Sequence, residues 1–221
     1  MTKVRLRYSK TGKAKYISHL DLMATMRRAL LRANVELKYS EGFNPHPYIS
    51  VALPLQVGCA STCELMDLGV TSDEAALFSP ESISAMLPEG IEVSEIYLPS
   101  RKFNDIKWIT IRGLLHFDSG VPKDAVKSLT ECLLAGSIVI SKKTKSGVSD
   151  LDIAPFIKDI LFSCENDNTL ITLTAKISAQ NPSVSPDNII SALENDSECV
   201  EPDFASFTRM ELLDSDMIIF R

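Results

Sequence analysis

Hydrophobic periodicity switches early in the chain from two residues to about 3.6 and back, and this switch restricts the architectures open to it. Val4, Leu6 and Tyr8 alternate with Lys3, Arg5 and Arg7, the pattern of a half-buried strand with a basic outer face. A turn is expected over 10–13. Leu22, Met26, Ala29, Leu30 and Ala33 then fall on one helical face, with Asp21, Thr25, Arg28 and Arg32 opposite. Ser18 and Asp21 make a capping-box pattern with Asp in place of Glu, so a helix is expected from residue 18 to about 33, with Asn34 as its stop. Strands are expected over 35–39 and 64–70, with a short apolar run over 49–53 that Pro54 interrupts, then a helix near 80–87 and a strand over 91–98. Gly42, Pro45 and Pro47 mark 40–47 as a loop. With that long loop set aside, the order is β-α-β-β-α-β, the ferredoxin-like order.

Residues 99–105 are the expected boundary, dividing the chain into 1–99 and 106–221. Beyond it the pattern predicts a strand over 107–117, a helix over 122–134 with Pro122 near its first turn, and a strand over 137–143. A basic turn at 142–147 and a short irregular piece at 152–156 come next. A hairpin of 157–164 with 170–177 around Asn166-Asp167-Asn168, a helix over 186–193 and a strand over 204–220 complete the chain. The second half approximates the same order, although no repeat is visible in sequence. The expected fold class is α+β: two tandem ferredoxin-like lobes with antiparallel sheets.

Charge is distributed unevenly. Net charge is −6, yet residues 1–50 hold ten Lys/Arg against three Asp/Glu, a surplus of seven. A basic face on an acidic body attracts phosphates; the plainer alternative is that the two halves attract each other. No apolar run reaches the roughly 18 residues of a membrane span, so no membrane partner is expected. The opening residues read as a strand rather than a secretory signal. Five scattered cysteines do not suggest a disulfide framework, and point to a reducing, cytoplasmic setting in which they act as small hydrophobes.

Three clusters carry candidate chemistry. In Tyr16-Ile-Ser-His-Leu-Asp21, His19 is a candidate acid or base with Asp21 to orient it, against the plainer role of a helix start. Arg27, Arg28 and Arg32 can hold phosphates as planar forks. In Tyr39-Ser-Glu-Gly-Phe-Asn-Pro-His-Pro-Tyr48, Phe43 and Tyr48 offer flat faces for stacking. Glu41, Asn44 and His46 offer hydrogen bonds to a base or ribose. Glu41 and His46 join His19 as candidate catalytic groups, and the alternative is a rigid plug closing one end of the lobe. Cys59 and Cys63 lack the second pair that a zinc site needs, and no metal or cofactor is expected. Glu64 and Asp67, three apart on a strand, point to opposite faces. No phosphate-binding glycine loop, nucleophile elbow or radical-SAM cluster motif is present in the sequence.

The segment Tyr16–Asp21, the pairs Arg28-Ala29 and Arg32-Ala33, Tyr39–Pro47, Leu53-Pro-Leu55, Gly58, and Glu64 with Asp67 resemble the radical-SAM-linked domain of unknown function, here as a stand-alone bacterial member. The resemblance continues more weakly through Asp152–Ile157 and Ser185-Pro186. It implies a radical-SAM protein encoded nearby as partner, and no settled activity. The chain has Ala154 and Ser185 where the family tends to place arginine before proline.

Three readings follow. In the first, the protein is an RNA-binding accessory that presents tRNA or rRNA to a radical-SAM modifying enzyme. Lys3, Arg5, Arg7, Arg28 and Arg32, with Arg27 beside them, neutralise phosphates, and Phe43 and Tyr48 stack. In the second, His19 or His46 performs acid/base work on a phosphodiester or small anionic substrate. In the third, the chain is a docking module for a radical-SAM subunit.

Overall fold

The computed structural model describes residues 2–71, 78–134, 136–144, 147–164, 168–195 and 199–221. The protein is mixed α+β with antiparallel strand pairing and few helices. It divides into two compact units, one of residues 1–105 with 221 and one of residues 106–220.

The first unit follows the alternation of its opening strand. β1 (Thr2–Lys10) is followed by α1 (His19–Arg32), β2 (Ile49–Val51), β3 (Ala60–Val70), α2 (Pro80–Ser84) and β4 (Ile91–Tyr97). β1 pairs with β3 on one side and β4 on the other, and β2 pairs with β3, so the strands run β4-β1-β3-β2. Val4, Leu6 and Tyr8 of β1 and Met66 and Leu68 of β3 form one core with Leu22, Met26 and Leu30 of α1. This is the expected helix face meeting the expected strand face.

Residues 35–39, expected as a strand, make only isolated bridges, Leu37 to Val70 and Tyr39 to Pro47. Pro47 has no N–H to donate, so the ladder cannot propagate there. α2 is shorter than the expected 80–87, and β3 extends four residues before the expected 64.

Around Tyr8 the ladder slips on both sides. The extra residue falls on β3 between the partners of Tyr8 and Lys10, and on β4 between those of Arg7 and Tyr8. Ser61 Oγ accepts from Cys63 N at 3.2 Å across the first bulge, and Ser94 Oγ donates to Arg7 O at 3.2 Å across the second. Bulges sharpen local twist and re-aim side chains.

In the second unit β5 (Trp108–His116), α3 (Ala125–Leu133), β6 (Val139–Thr144), β7 (Gly147–Asp152), β8 (Ile157–Cys164), β9 (Leu170–Ser178), α4 (Pro186–Asn195) and β10 (Phe204–Leu213) follow in order. The main strands run β10-β5-β9-β8, all antiparallel. β6 and β7 form a separate two-stranded hairpin where a strand over 137–143 and a basic turn at 142–147 were expected. Residues 145–146 of that turn and residues 166–167 of the expected 166–168 turn lie outside the described residues. β10 ends at Leu213 rather than continuing to 220. Asp214 Oδ1 accepts from the backbone of Asp216 and Ile218, both at 2.9 Å, and turns the chain.

Cys132 of α3 and Cys199 beyond α4 are joined in a disulfide with their Cα atoms 6.2 Å apart. This corrects the expectation that the cysteines are all thiols. The packing of α3 against α4 brings the pair together, and a separation of 67 residues gives no sign of it in the sequence. No described helix is long and apolar enough to cross a membrane.

Candidate functional site

The dense motif region lies on the first unit, and the structure sorts its residues into those that face solvent and those that hold the fold. Ser18 is the N-cap of α1: its Oγ accepts from Asp21 N at 3.1 Å and donates to Asp21 Oδ2 at 2.8 Å. Asp21 is therefore engaged as part of the cap. Among the described residues no hydrogen bond joins it to the half-buried His19, so the expected oriented imidazole is not assembled.

On α1, Arg27 and Arg28 are exposed and make no ion pair among the described residues. Arg32 is also exposed, but its Nη2 donates to Met86 O at 2.5 Å, which ties the end of α1 to the segment after α2. Of the three arginines, two present their forks to solvent.

The loop after α1 is fixed at its base and open at its tip. Ser40 N donates to His46 O at 2.8 Å, and His46 N to Ser40 Oγ at 3.0 Å. Tyr48 N donates to Lys38 O at 2.9 Å, while Tyr48 O accepts from Gly69 N at 2.7 Å. Gly42 has φ +117°, a conformation that L side chains resist. Glu41, Phe43, Asn44 and His46 are exposed, Phe43 completely at 112% and Tyr48 at 45%. The loop is not a plug closing the lobe.

Arg5 corrects the expected basic outer face of β1. It is fully buried, with Nε 2.6 Å from Asp67 Oδ1 and Nη2 3.0 Å from Asp67 Oδ2. Nη2 also donates to Arg101 O at 3.0 Å, and the guanidinium lies 4.4 Å from the Phe103 ring centre. Tyr97, Arg5, Asp67 and Ser50 stand in one row across four strands. Burial pushes the Tyr97 hydroxyl pKa up, and the Arg5 guanidinium partly offsets this. Lys3 adds a second cation at 3.2 Å from Asp67. Arg7 is half-buried opposite Glu95 of β4. β1 therefore contributes neither Arg5 nor a continuous cationic stripe to the surface. The segment 101–103 covers Arg5, and a strand read alone cannot reveal that cover.

Sequence reasoning also passed over Lys10, which is buried, as is Glu64. Lys10 Nζ donates to Ile17 O at 2.8 Å and Lys15 O at 3.4 Å, directly before the Ser18 cap. Its pKa is held below the usual 10.5, chiefly by burial, with Glu64 and Cys59 acting in the opposite direction. The signal was present: Lys10 continues the inward series Val4, Leu6, Tyr8, although Lys10 reads more readily as the start of a turn. Cys63 is buried and Cys59 half-buried. Among the described residues no three His, Cys, Asp or Glu side chains converge as a metal site.

A family profile described as "Uncharacterized protein conserved in bacteria (DUF2344)" matches residues 3–186. No curated protein matches the chain in sequence. Its fold is similar to that of a chain in the crystal structure of a Cbf5-Nop10-Gar1 complex, with TM-score 0.50 and 10% identity over 95% of this chain and 48% of that one. The present chain thus spans about half the length of that relative, and the likeness is one of fold. A chain in the structure of Thermus Thermophilus Cse3 bound to an RNA representing a pre-cleavage complex matches at 12% identity over 93% of this chain and 98% of that one, with a TM-score of 0.20, too low to relate the folds.

Proposed function

The chain belongs to the family of uncharacterised proteins conserved in bacteria (DUF2344), and we propose that within it the chain is an RNA-binding accessory acting with a radical-SAM RNA-modifying enzyme. The observation that carries the RNA reading is a base-locked loop with a completely exposed aromatic tip, Phe43, on the same unit as two solvent-facing arginines, Arg27 and Arg28. Single-stranded RNA is held by this combination: cations neutralise phosphates, and flat side chains stack on unpaired bases. Tyr48 supplies a second, half-exposed ring. Arg5 has no part in this reading, and Arg32 contributes at most the edge left after its bond to Met86 O.

The radical-SAM partner, and tRNA or rRNA as the RNA presented, are supported by the resemblance carried by Tyr16–Asp21 and Tyr39–Pro47. The ferredoxin-like reading of each unit is supported by the strand orders β4-β1-β3-β2 and β10-β5-β9-β8, the same order in each.

The test is binding of purified protein to small bacterial RNAs at two salt concentrations. Steep salt dependence is expected, with the slope reduced by about 0.7 for each single-strand phosphate that is no longer neutralised, so by roughly 1.4 in Arg27→Ala/Arg28→Ala. Absence of binding at low salt overturns the RNA reading. A stoichiometric radical-SAM protein captured after nuclease treatment then favours the docking module.

A further inference from the structure

Beside the last turn of α1 the first unit carries a cleft of about 460 Å³, lined among others by Leu31, Asn34, Glu36, Tyr39 and Thr71. We propose that this cleft takes a guanine base of single-stranded RNA, with Glu36 reading the base's Watson–Crick edge; this deepens and rests on the RNA reading above. The volume lies within the roughly 300–1,000 Å³ range of small-ligand sites, room for one base.

The chemistry of the lining selects the base. Glu36 Oε2 accepts from Thr71 Oγ1 at 2.9 Å, which anchors the carboxylate at the cleft. An ionised carboxylate offers about four lone-pair directions, so this bond leaves acceptor capacity to spare. Guanine is the base with two adjacent donors, N1–H and N2–H, on its Watson–Crick edge. Adenine, cytosine and uracil each set an acceptor beside a donor there, and a carboxylate repels that acceptor. The planar pairing of two parallel N–H donors with one carboxylate is the geometry that makes charge-assisted forks strong.

The other groups fit the same ligand. Asn34 follows α1 with φ +56°, and among the described residues its side-chain amide makes no hydrogen bond, so its N–H is available to guanine O6. Tyr39 is half-buried and Leu31 is 47% exposed, giving an aromatic and an aliphatic face for a flat ring. Arg27 and Arg28 precede Leu31 by four and three residues and therefore neighbour it on the helix surface. They are the exposed cations beside Leu31 for the phosphate of a bound nucleotide, and the negative Glu36 favours the base over the phosphate in the cleft.

The experiment measures binding of GMP, AMP, CMP and UMP, and of labelled single-stranded RNAs with and without guanine, to wild type, Glu36→Gln and Arg27→Ala/Arg28→Ala. The expected result is a GMP preference of about tenfold or more, the scale of a hydrogen bond to a charged group, that collapses in Glu36→Gln. Glu36 is exposed, so the variant is expected to fold as wild type does. No GMP preference, or a preference that survives Glu36→Gln, overturns the guanine site. If RNA without guanine binds as well as RNA with it, and both are weakened in Arg27→Ala/Arg28→Ala, the RNA reading stands and the guanine site falls. If no RNA binds while GMP does so through Glu36, the RNA reading falls and the cleft stands as a guanine-nucleotide site.

Discussion

Arg5 and Asp67 face each other across β1 and β3, joined by a fork of two hydrogen bonds at 2.6 and 3.0 Å in a fully enclosed site. Removing Asp67 leaves Arg5 buried without that carboxylate, which costs about 3–5 kcal/mol, whereas removing Arg5 leaves Asp67 with Lys3 at 3.2 Å and costs less. Asp67→Ala is expected to lower the unfolding free energy, measured by denaturant titration, by an amount of that order, and Arg5→Ala by less. The double replacement Arg5→Met/Asp67→Leu is expected to recover most of the loss. An Arg5→Ala protein of unchanged stability that no longer bound RNA would return Arg5 to the phosphate-binding surface.

Ser18 caps α1 through Asp21 N, and its loss leaves an orphan donor at the helix start. Ser18→Ala is expected to lower unfolding free energy by about 1 kcal/mol. His19→Ala, at the next position, is expected to change it by less than about 0.5 kcal/mol, since the His19 side chain makes no hydrogen bond among the described residues. Thermal unfolding of the two variants side by side checks this contrast. Equal losses would mean that the imidazole carries structural weight that the geometry does not give it.

Lys10 gives a pH dependence with a definite sign. Its folded-state pKa lies below the usual 10.5 because burial disfavours the ammonium. Between the lowered folded value and 10.5 the unfolded chain holds the proton that the folded chain has released. The Lys10 contribution therefore makes folding more favourable as pH rises through that window. Below the folded value the buried ammonium is a standing cost, offset by its bonds to the Ile17 and Lys15 carbonyls. Unfolding free energy of wild type minus that of Lys10→Met, measured across the alkaline range, is expected to rise with pH. A difference that is flat or falls would contradict the burial-driven shift.

Gly42 and Phe43 separate the shape of the loop from its use. Gly42 sits at φ +117° with open space around it, so Gly42→Ala meets a backbone cost of about 1–3 kcal/mol and no clash. Phe43 is wholly exposed, so Phe43→Ala is expected to change stability by less than about 0.5 kcal/mol. Loss of one stacked base is worth about 1–3 kcal/mol, so RNA affinity is expected to fall by roughly 5- to 150-fold in Phe43→Ala. Unchanged affinity would remove Phe43 from the interface.

Much of the first unit was legible along the chain because its signals are local. The inward series Val4, Leu6, Tyr8 and the face of Leu22, Met26 and Leu30 follow from backbone periodicity, and they meet in one core. The Ser18–Asp21 cap and the strained Gly42 loop are also local, set by residues a few positions apart. The Leu37 and Tyr39 bridges were misread as a strand, because the limit set by Pro47 acts through a partner across the loop.

What the sequence by itself determined is which residues face inward in each element, since φ/ψ preferences and hydrophobic period are properties of neighbouring residues. Lys10 belongs to that set, because it sits in the inward register of β1. Tertiary structure alone decided the fate of the charges. Arg5 is neutralised by Asp67, 62 residues away, and enclosed by Arg101 and Phe103 nearly 100 residues away. Arg32 is drawn to Met86 O, while Arg27 and Arg28, on the same helix, are left to solvent. The physical reason is that a guanidinium is equally at home in water or in a buried fork, and only the fold brings it a carboxylate.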